Sequence, residues 1–325
     1  MDSIGRIDNN SAALESYPKA YKYTDRGGIQ SIGGYTLGPV IDRGQYRTIK
    51  LCRKDSGQEL VMKVYRNISL SRQKYYHNLP NGGMVRHTAL EALIREVHIL
   101  QRIGVHPNIV ALRDVFYNPD REKTYLVLDC CSGGPVQKWN CIKCRYEPVI
   151  TNSNVVRSYI TDILNGLEYI HSKHVIHRDI KPDNLLIDSQ GRVRITMVIG
   201  KDDSATTSDS STLGCTYPFL APEMCGDDEE EDYSPTTLDD YDDNSLPISN
   251  KDVLYKGDIW ALGVTLWSMV TGKLPFYSTD LTQLFMDIAH CEVPIDDSEP
   301  ILFTSPLEVL EKKLADDLTG AHISI

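Results

Sequence analysis

The period of the apolar residues changes along the chain, from strand to helix, back to strand and then to helix, and that order limits what it can fold into. From Tyr35, "YTLGPVID", "YRTIKLCRK" and "QELVMKVYR" are short segments rich in β-branched residues and separated by turn residues, which predicts an antiparallel meander. At Thr88 the pattern becomes helical: in "TALEALIREVHILQRI", Leu90, Leu93, Ile94, Val97 and Leu100 share one face, and Thr88 and Glu91 have capping-box spacing. Two more apolar strands follow in "IVALRDVF" and "KTYLVLD". After them, "NVVRSYITDILNGLEYIHSK" and "YKGDIWALGVTLWSMVTGK" make the remainder mainly helical. The expectation is an α+β chain in two lobes: a small β-rich N-lobe with one helix, about 35–129, and a larger helical C-lobe, about 130–325. Residues 1–34 show little periodicity, end in "GGIQSIGG", and are expected as a mobile tail.

The formal charge of -11 argues against a general nucleic-acid binder or a ligand of anionic membranes. No apolar run approaches the roughly 20 residues that cross a bilayer. The start "MDSIGRIDNNSAAL" has neither a signal-peptide core nor a myristoylation glycine, so a cytoplasmic protein is expected. Ten acidic residues fall between Asp227 and Asp243, inside an insertion of about 226–250. Its apolar surface is too small to offset ordering entropy, which predicts a solvated loop. The eight cysteines read as reduced thiols. "CIKC" at Cys141 and Cys144, with Cys130 and Cys131 upstream, lacks a second pair at zinc-finger spacing, so loop cysteines are the better reading.

The chemistry concentrates in "VIHRDIKPDNLLI". Asp179, Lys181 and Asn184 share one loop between a helix and a strand. A carboxylate can deprotonate an attacking hydroxyl, an ammonium can neutralise phosphoryl charge, and an amide oxygen can ligate a hard cation. In the β lobe, Lys63 of "VMKVY" could hold phosphate oxygens, with Glu96 as its partner.

On these residues, with "HPNIV", "SGGPVQ", "LAPE" and "DIWALGVTL", the chain from about Tyr35 onward resembles a eukaryotic protein kinase. It is most similar to the serine/threonine calcium/calmodulin-dependent protein kinase kinase group and the related liver tumour-suppressor kinase. The resemblance implies a bilobal kinase fold that binds ATP. It implies Asp179 as base, Lys181 beside it, and Asn184 as a metal ligand. Around the nucleotide it implies Lys63, Glu96, Gly44, Ile49, Val61, Leu128 as gatekeeper, Asp129, Cys131 at the hinge, and Leu186. Asp258 would anchor the catalytic loop from the central helix, and Glu223 would pair with a late arginine.

Several positions depart from that family pattern. The metal-binding Asp-Phe-Gly falls about eighteen residues after the catalytic Asp, where this chain has Met197, Val198 and Ile199. A thioether is no ligand for magnesium. Asp202 or Asp203 could serve only if the turn were rebuilt. In "DRGQYR", Asp42 and Arg47 replace the outer glycines and only Gly44 remains. Val61 stands where a small alanine roofs the adenine pocket, and His322 is the nearest equivalent of the late arginine. Thr212 and Thr216 lie where an activating phosphate could sit.

ATP is therefore a candidate cofactor, and Mg2+ is called into question. The leading expectation is a pseudokinase acting through a protein partner, such as another kinase or its substrate, with no nucleic-acid or membrane partner. The alternatives are an active serine/threonine kinase with atypical metal use and a metal-independent ATP-binding switch.

Overall fold

A computed structural model describes residues 13–44, 46–78, 84–197, 217–225 and 248–291. They fall into two units: one runs to Ser132 and includes Met197, and the other takes Gly133–Thr196 and the later residues.

The first unit holds β1 (Lys22–Thr24), β2 (Gln30–Ile32), β3 (Tyr35–Arg43), β4 (Arg47–Arg53), β5 (Glu59–Arg66), β6 (Lys74–Asn78), β7 (Met84–Thr88), β8 (Leu112–Asn118) and β9 (Lys123–Asp129). Strands β6 and β7 form a separate hairpin; the others make one antiparallel sheet in the order β1-β2-β3-β4-β5-β9-β8. Side chains of a strand alternate between faces, so β5 turns Leu60, Met62 and Val64 one way and Val61, Lys63 and Tyr65 the other. The first set packs with Ala20, Ile32, Tyr35, Cys52, Tyr125 and Val127 into one apolar cluster. The second set includes the candidate site residues.

Residues 13–34 correct the expectation of a mobile tail. Tyr117 of β8 donates to Pro18 O at 3.1 Å and accepts from Ala20 N at 3.1 Å, and the chain then continues into β1. The segment thus spans from the β8 edge to the β2 edge and pairs with both. Leu14, Tyr17, Ala20 and Ile32 are buried. Four scattered apolar residues give no periodic signal, because their neighbours come from distant strands. Residues 1–12 lie outside the described residues.

Helix α1 (Asn67–Arg72) is a second, six-residue helix in the lobe expected to hold one. It is fixed by Asn67, whose N–H donates to Glu122 O at 2.9 Å and whose Oδ1 accepts from Thr124 at 3.0 Å. Helix α2 (Ala89–Ile103) starts with the expected capping box: Thr88 N donates to Glu91 Oε2 at 2.9 Å and Glu91 N to Thr88 Oγ1 at 3.3 Å. Its apolar face is buried as the periodicity required, and Glu96 is buried beside it.

The second unit contains β10 (Gly134–Pro135), β11 (Lys138–Asn140), β12 (Arg145–Glu147), α3 (Ser153–Ser172), β13 (Leu185–Ile187), β14 (Val193–Ile195), α4 (Ile248–Thr271) and α5 (Leu281–Ala289). Asn152 caps α3 by accepting from Asn154 N at 3.0 Å and Val155 N at 3.4 Å. Leu262, Val264, Leu266 and Met269 of α4 are all fully buried. Apolar residues on every side mark a helix enclosed by the fold. The sheet β10-β13-β14 and the hairpin β11-β12 complete the unit.

Residues 226–247 of the acidic insertion, Asp202, Asp203, Thr212, Thr216 and His322 lie outside the described residues. Among those described, no helix is long and apolar enough to cross a membrane.

Candidate functional site

In the second unit, a 3-10 turn at Pro182–Asn184 leads into β13 and closes the loop that carries Asp179. Lys181 Nζ lies 2.7 Å from Asp179 Oδ1, while Asn184 Nδ2 lies 2.7 Å from both Asp179 Oδ2 and Asp179 O. Asp179, Lys181 and Asn184 are thus gathered as one network, with each carboxylate oxygen already accepting a hydrogen bond.

Asp258 of α4 builds the loop from beneath. Its carboxylate, 1% exposed, accepts from His177 N at 2.9 Å and Arg178 N at 2.7 Å and meets His171 Nε2 at 2.7 Å. Two backbone donors pointing at one buried carboxylate fix the peptide planes on either side of His177, just before Arg178, which has a left-handed φ of 66°. The anchoring role assigned to Asp258 from the resemblance matches this geometry.

The position of Met197 follows from ladder register. Strands β13 and β14 pair Leu185 with Ile195 and Ile187 with Val193. Thr196 N donates to Asn184 O at 2.9 Å, and Thr196 O accepts from His177 Nε2 at 2.9 Å. Residue 196 is therefore pinned on both backbone groups, and the next side chain belongs to Met197, which is 2% exposed.

In the first unit, Lys63 Nζ lies 3.7 Å from Glu96 Oε1. That oxygen is buried without a hydrogen-bond partner of normal length. Burial lowers the Lys63 pKa and raises that of Glu96; mutual attraction works against both shifts. Desolvation is the larger cause in each case. Arg47 stands close enough to act electrostatically on both and to donate to Tyr65, whose phenol burial pushes well above its ordinary pKa.

The other nucleotide-site candidates follow from register. Ile49 pairs with Lys63, and Val61 pairs with Leu51 on one side and Leu128 on the other. Val61 is half-buried and Leu128 buried on the face that carries Lys63. Gly44 N donates to Arg47 O at 2.9 Å in the β3-β4 turn, and Arg47 comes within 4.0 Å of Asp42. The outer substituents of this turn therefore meet each other. Asp129 ends β9, held by Arg113 Nε at 2.5 Å and Nη2 at 2.9 Å; Cys131 follows half-buried. Leu186 is half-buried in the second unit, opposite Pro135 and Arg194.

Three supporting groups escaped the sequence reading. Asp162 in α3 accepts from Arg192 Nε at 2.9 Å and Val193 N at 2.9 Å. Tyr146 donates to Asp183 Oδ2 at 3.0 Å, and Arg113 holds Asp129. Asp162 had a signal: a charge on the apolar face of an otherwise regular helix. Arg113 and Tyr146 had none, because their partners lie on other elements.

Comparison with known proteins decides the family. The description "Protein kinase domain" matches residues 35–315. The chain belongs to the protein kinase domain family. Within it, the chain is 31% identical over 307 residues to serine/threonine-protein kinase TOS3 of Saccharomyces cerevisiae, covering 89% of this chain and 49% of that protein. It is 32% identical over 312 residues to serine/threonine-protein kinase ssp1 of Schizosaccharomyces pombe, covering 92% and 42% respectively. Serine/threonine-protein kinase stk11 of Xenopus laevis is 28% identical over 312 residues, covering 93% and 60%. The chain therefore spans about half the length of these relatives. The two units are the β-rich and helical lobes of the α+β, bilobal kinase fold.

This kinase chain fits its nucleotide-site residues and the family's cation unequally. Lys63 carries donors for phosphate oxygens, and the Ile49, Val61 and Leu128 side chains supply an apolar face for a base. Magnesium seeks six oxygen ligands in near-octahedral array. In the second unit, Asn184 offers its amide oxygen and Asp179 its carboxylate. Among the described residues, no three His, Cys, Asp or Glu side chains come together as a metal site. Among the described residues, position 197 supplies a thioether and not a carboxylate, and a thioether is no ligand for magnesium.

Proposed function

We propose that this kinase-fold protein transfers phosphate weakly or not at all and works by binding another protein, such as a kinase or a kinase substrate. The observation that carries this reading is the clamp on Thr196, which commits the next position to a buried methionine where the family pattern calls for a carboxylate. Without a hard oxygen there, the charge on a transferring phosphoryl group loses a stabilisation worth orders of magnitude in rate. Val61, opposite Leu128, adds methyl groups on the side an adenine would occupy, and Asp42 brings a negative charge to the phosphate-covering turn. Three departures thus act against one ligand.

The second reading is an active serine/threonine kinase that obtains its metal ligand elsewhere. It is favoured by the intact Asp179, Lys181 and Asn184 network, whose distances are those of working hydrogen bonds, and by relatives named as serine/threonine kinases. A metal-independent ATP switch would use Lys63 and Glu96 alone.

A thermal-melt titration with ATP, with and without magnesium, separates the three. We expect no rise in melting temperature under either condition. A magnesium-dependent rise, lost in Lys63→Met, would replace the proposal with the active kinase. A rise without magnesium would establish the switch. If Asp179→Asn abolishes phosphate incorporation into a generic protein acceptor, the pseudokinase reading fails.

A further inference from the structure

The "CIKC" segment has no role in the site above, yet the fold presents it in a particular way. Asn140 and Arg145 are the last paired residues of β11 and β12, so Cys141–Cys144 form the turn that closes the hairpin. Asn140 Oδ1 accepts from Ile142 N and Lys143 N, each at 3.1 Å, and holds the turn in shape. The first and fourth residues of such a turn have Cα atoms within about 7 Å. A disulfide spans about 4.4–6.8 Å between Cα atoms. Cys144 Sγ already reaches Cys141 O at 3.5 Å. Both thiols are exposed. By contrast, Cys52 is buried and pushed up to about 12, and burial raises Cys225 to about 11.

From this turn a line of contacts leads to the catalytic-loop region. The Tyr277 hydroxyl donates to Cys144 Sγ at 3.9 Å. The Trp139 ring lies 5.6 Å from that of Tyr277 and 5.2 Å from that of Tyr146. Tyr146 donates to Asp183, the residue before Asn184. Every member belongs to the second unit.

We propose that Cys141 and Cys144 are a reversible oxidation site for small-molecule disulfides, and that the hairpin passes its redox state to the loop containing Asp183. The Cys144 thiolate, its proton lost to water, attacks one sulfur of the disulfide and expels a thiolate. The Cys141 thiolate then attacks Cys144 Sγ, forms the internal S–S bond and expels the second thiolate. The two cysteines give up two electrons and two protons; the oxidant is reduced to two thiols. An excess of thiol reverses both steps. This exchange does not depend on whether the chain transfers phosphate.

Glutathione disulfide is the probe, applied to the full chain, with peptide mass mapping and amide exchange as readouts. In the wild type, the peptide containing residues 141–144 is expected to lose two hydrogens and to regain them with dithiothreitol. Cys141→Ser is expected to retain a single glutathione on Cys144. Glutathione persisting on either cysteine of the wild type, or an S–S bond to any other cysteine, would overturn the site. Oxidation is expected to slow amide exchange across residues 180–187 by at least about twofold, and Tyr146→Phe to remove that effect. Equal exchange in both redox states, with the disulfide formed, would overturn the coupling.

Discussion

The loop around Asp179 and the pair Lys63–Glu96 contain the same kinds of groups, buried carboxylates and amines, but they are satisfied differently. In the loop, Asp258 receives two backbone donors and a histidine, and Asp179 engages both oxygens at 2.7 Å. In the β lobe, Lys63 and Glu96 stand 3.7 Å apart, and one Glu96 oxygen has no hydrogen bond. A buried charge is tolerated when fixed dipoles surround it and costs several kcal/mol when they do not. The loop is thus a finished structure whether or not it performs chemistry.

That contrast can be broken, or sharpened, by substitution. The largest effect is expected from Asp258→Ala, which strands two backbone N–H groups: about 3–5 kcal/mol of stability by urea denaturation. A loss below about 1 kcal/mol would mean that the loop needs no anchor. Lys63→Met is expected to cost about 2–3 kcal/mol at pH 8, because Glu96 is left buried without its cation; adding Glu96→Gln should restore most of it. The folded state holds the Glu96 proton more tightly than the unfolded chain does, so the loss should shrink as the pH falls toward 4.5. If the double variant is no more stable than Lys63→Met, the two side chains are not coupled.

Asp188, in the β13-β14 turn, belongs with the satisfied region. Burial alone would raise its pKa, but the N–H groups of Arg192 and Gln190 and the Arg194 guanidinium outweigh burial and hold it below the ordinary aspartate value of 3.8. A lowered folded-state pKa contributes stability above 3.8 that disappears as the pH falls through the folded value. Asp188→Asn should therefore lower stability at neutral pH, and the loss should shrink as the pH falls through the folded-state value. Parallel stability curves across that range would remove the assignment. The smallest effect is expected at the start of α2, which carries Glu96: Thr88→Ala should cost about 1 kcal/mol, read as a lower urea midpoint with an unchanged slope.

Much of the fold was legible because its signals are local. The α2 capping box needs four consecutive residues, and the alternation in β5 needs eight; both appear in the structure as the sequence implied. The segment 13–34 was missed for the opposite reason. Ala20 and Ile32 become core only because Tyr35, Met62 and Val127 from separate strands surround them, and pairing of Pro18 and Ala20 with Tyr117 joins residues about a hundred positions apart.

The sequence by itself determined the identity of the chemical groups: Asp179, Lys181 and Asn184 on one loop, Lys63 in the strand that became β5, and Met197 where the family pattern has a carboxylate. Tertiary structure decided their state. Whether Met197 occupies that position depends on a ladder register set by Asn184 and His177. Whether Lys63 and Glu96 are charged depends on burial by residues far away in the chain. Register and desolvation are properties of neighbours, and a sequence fixes its neighbours only after it has folded.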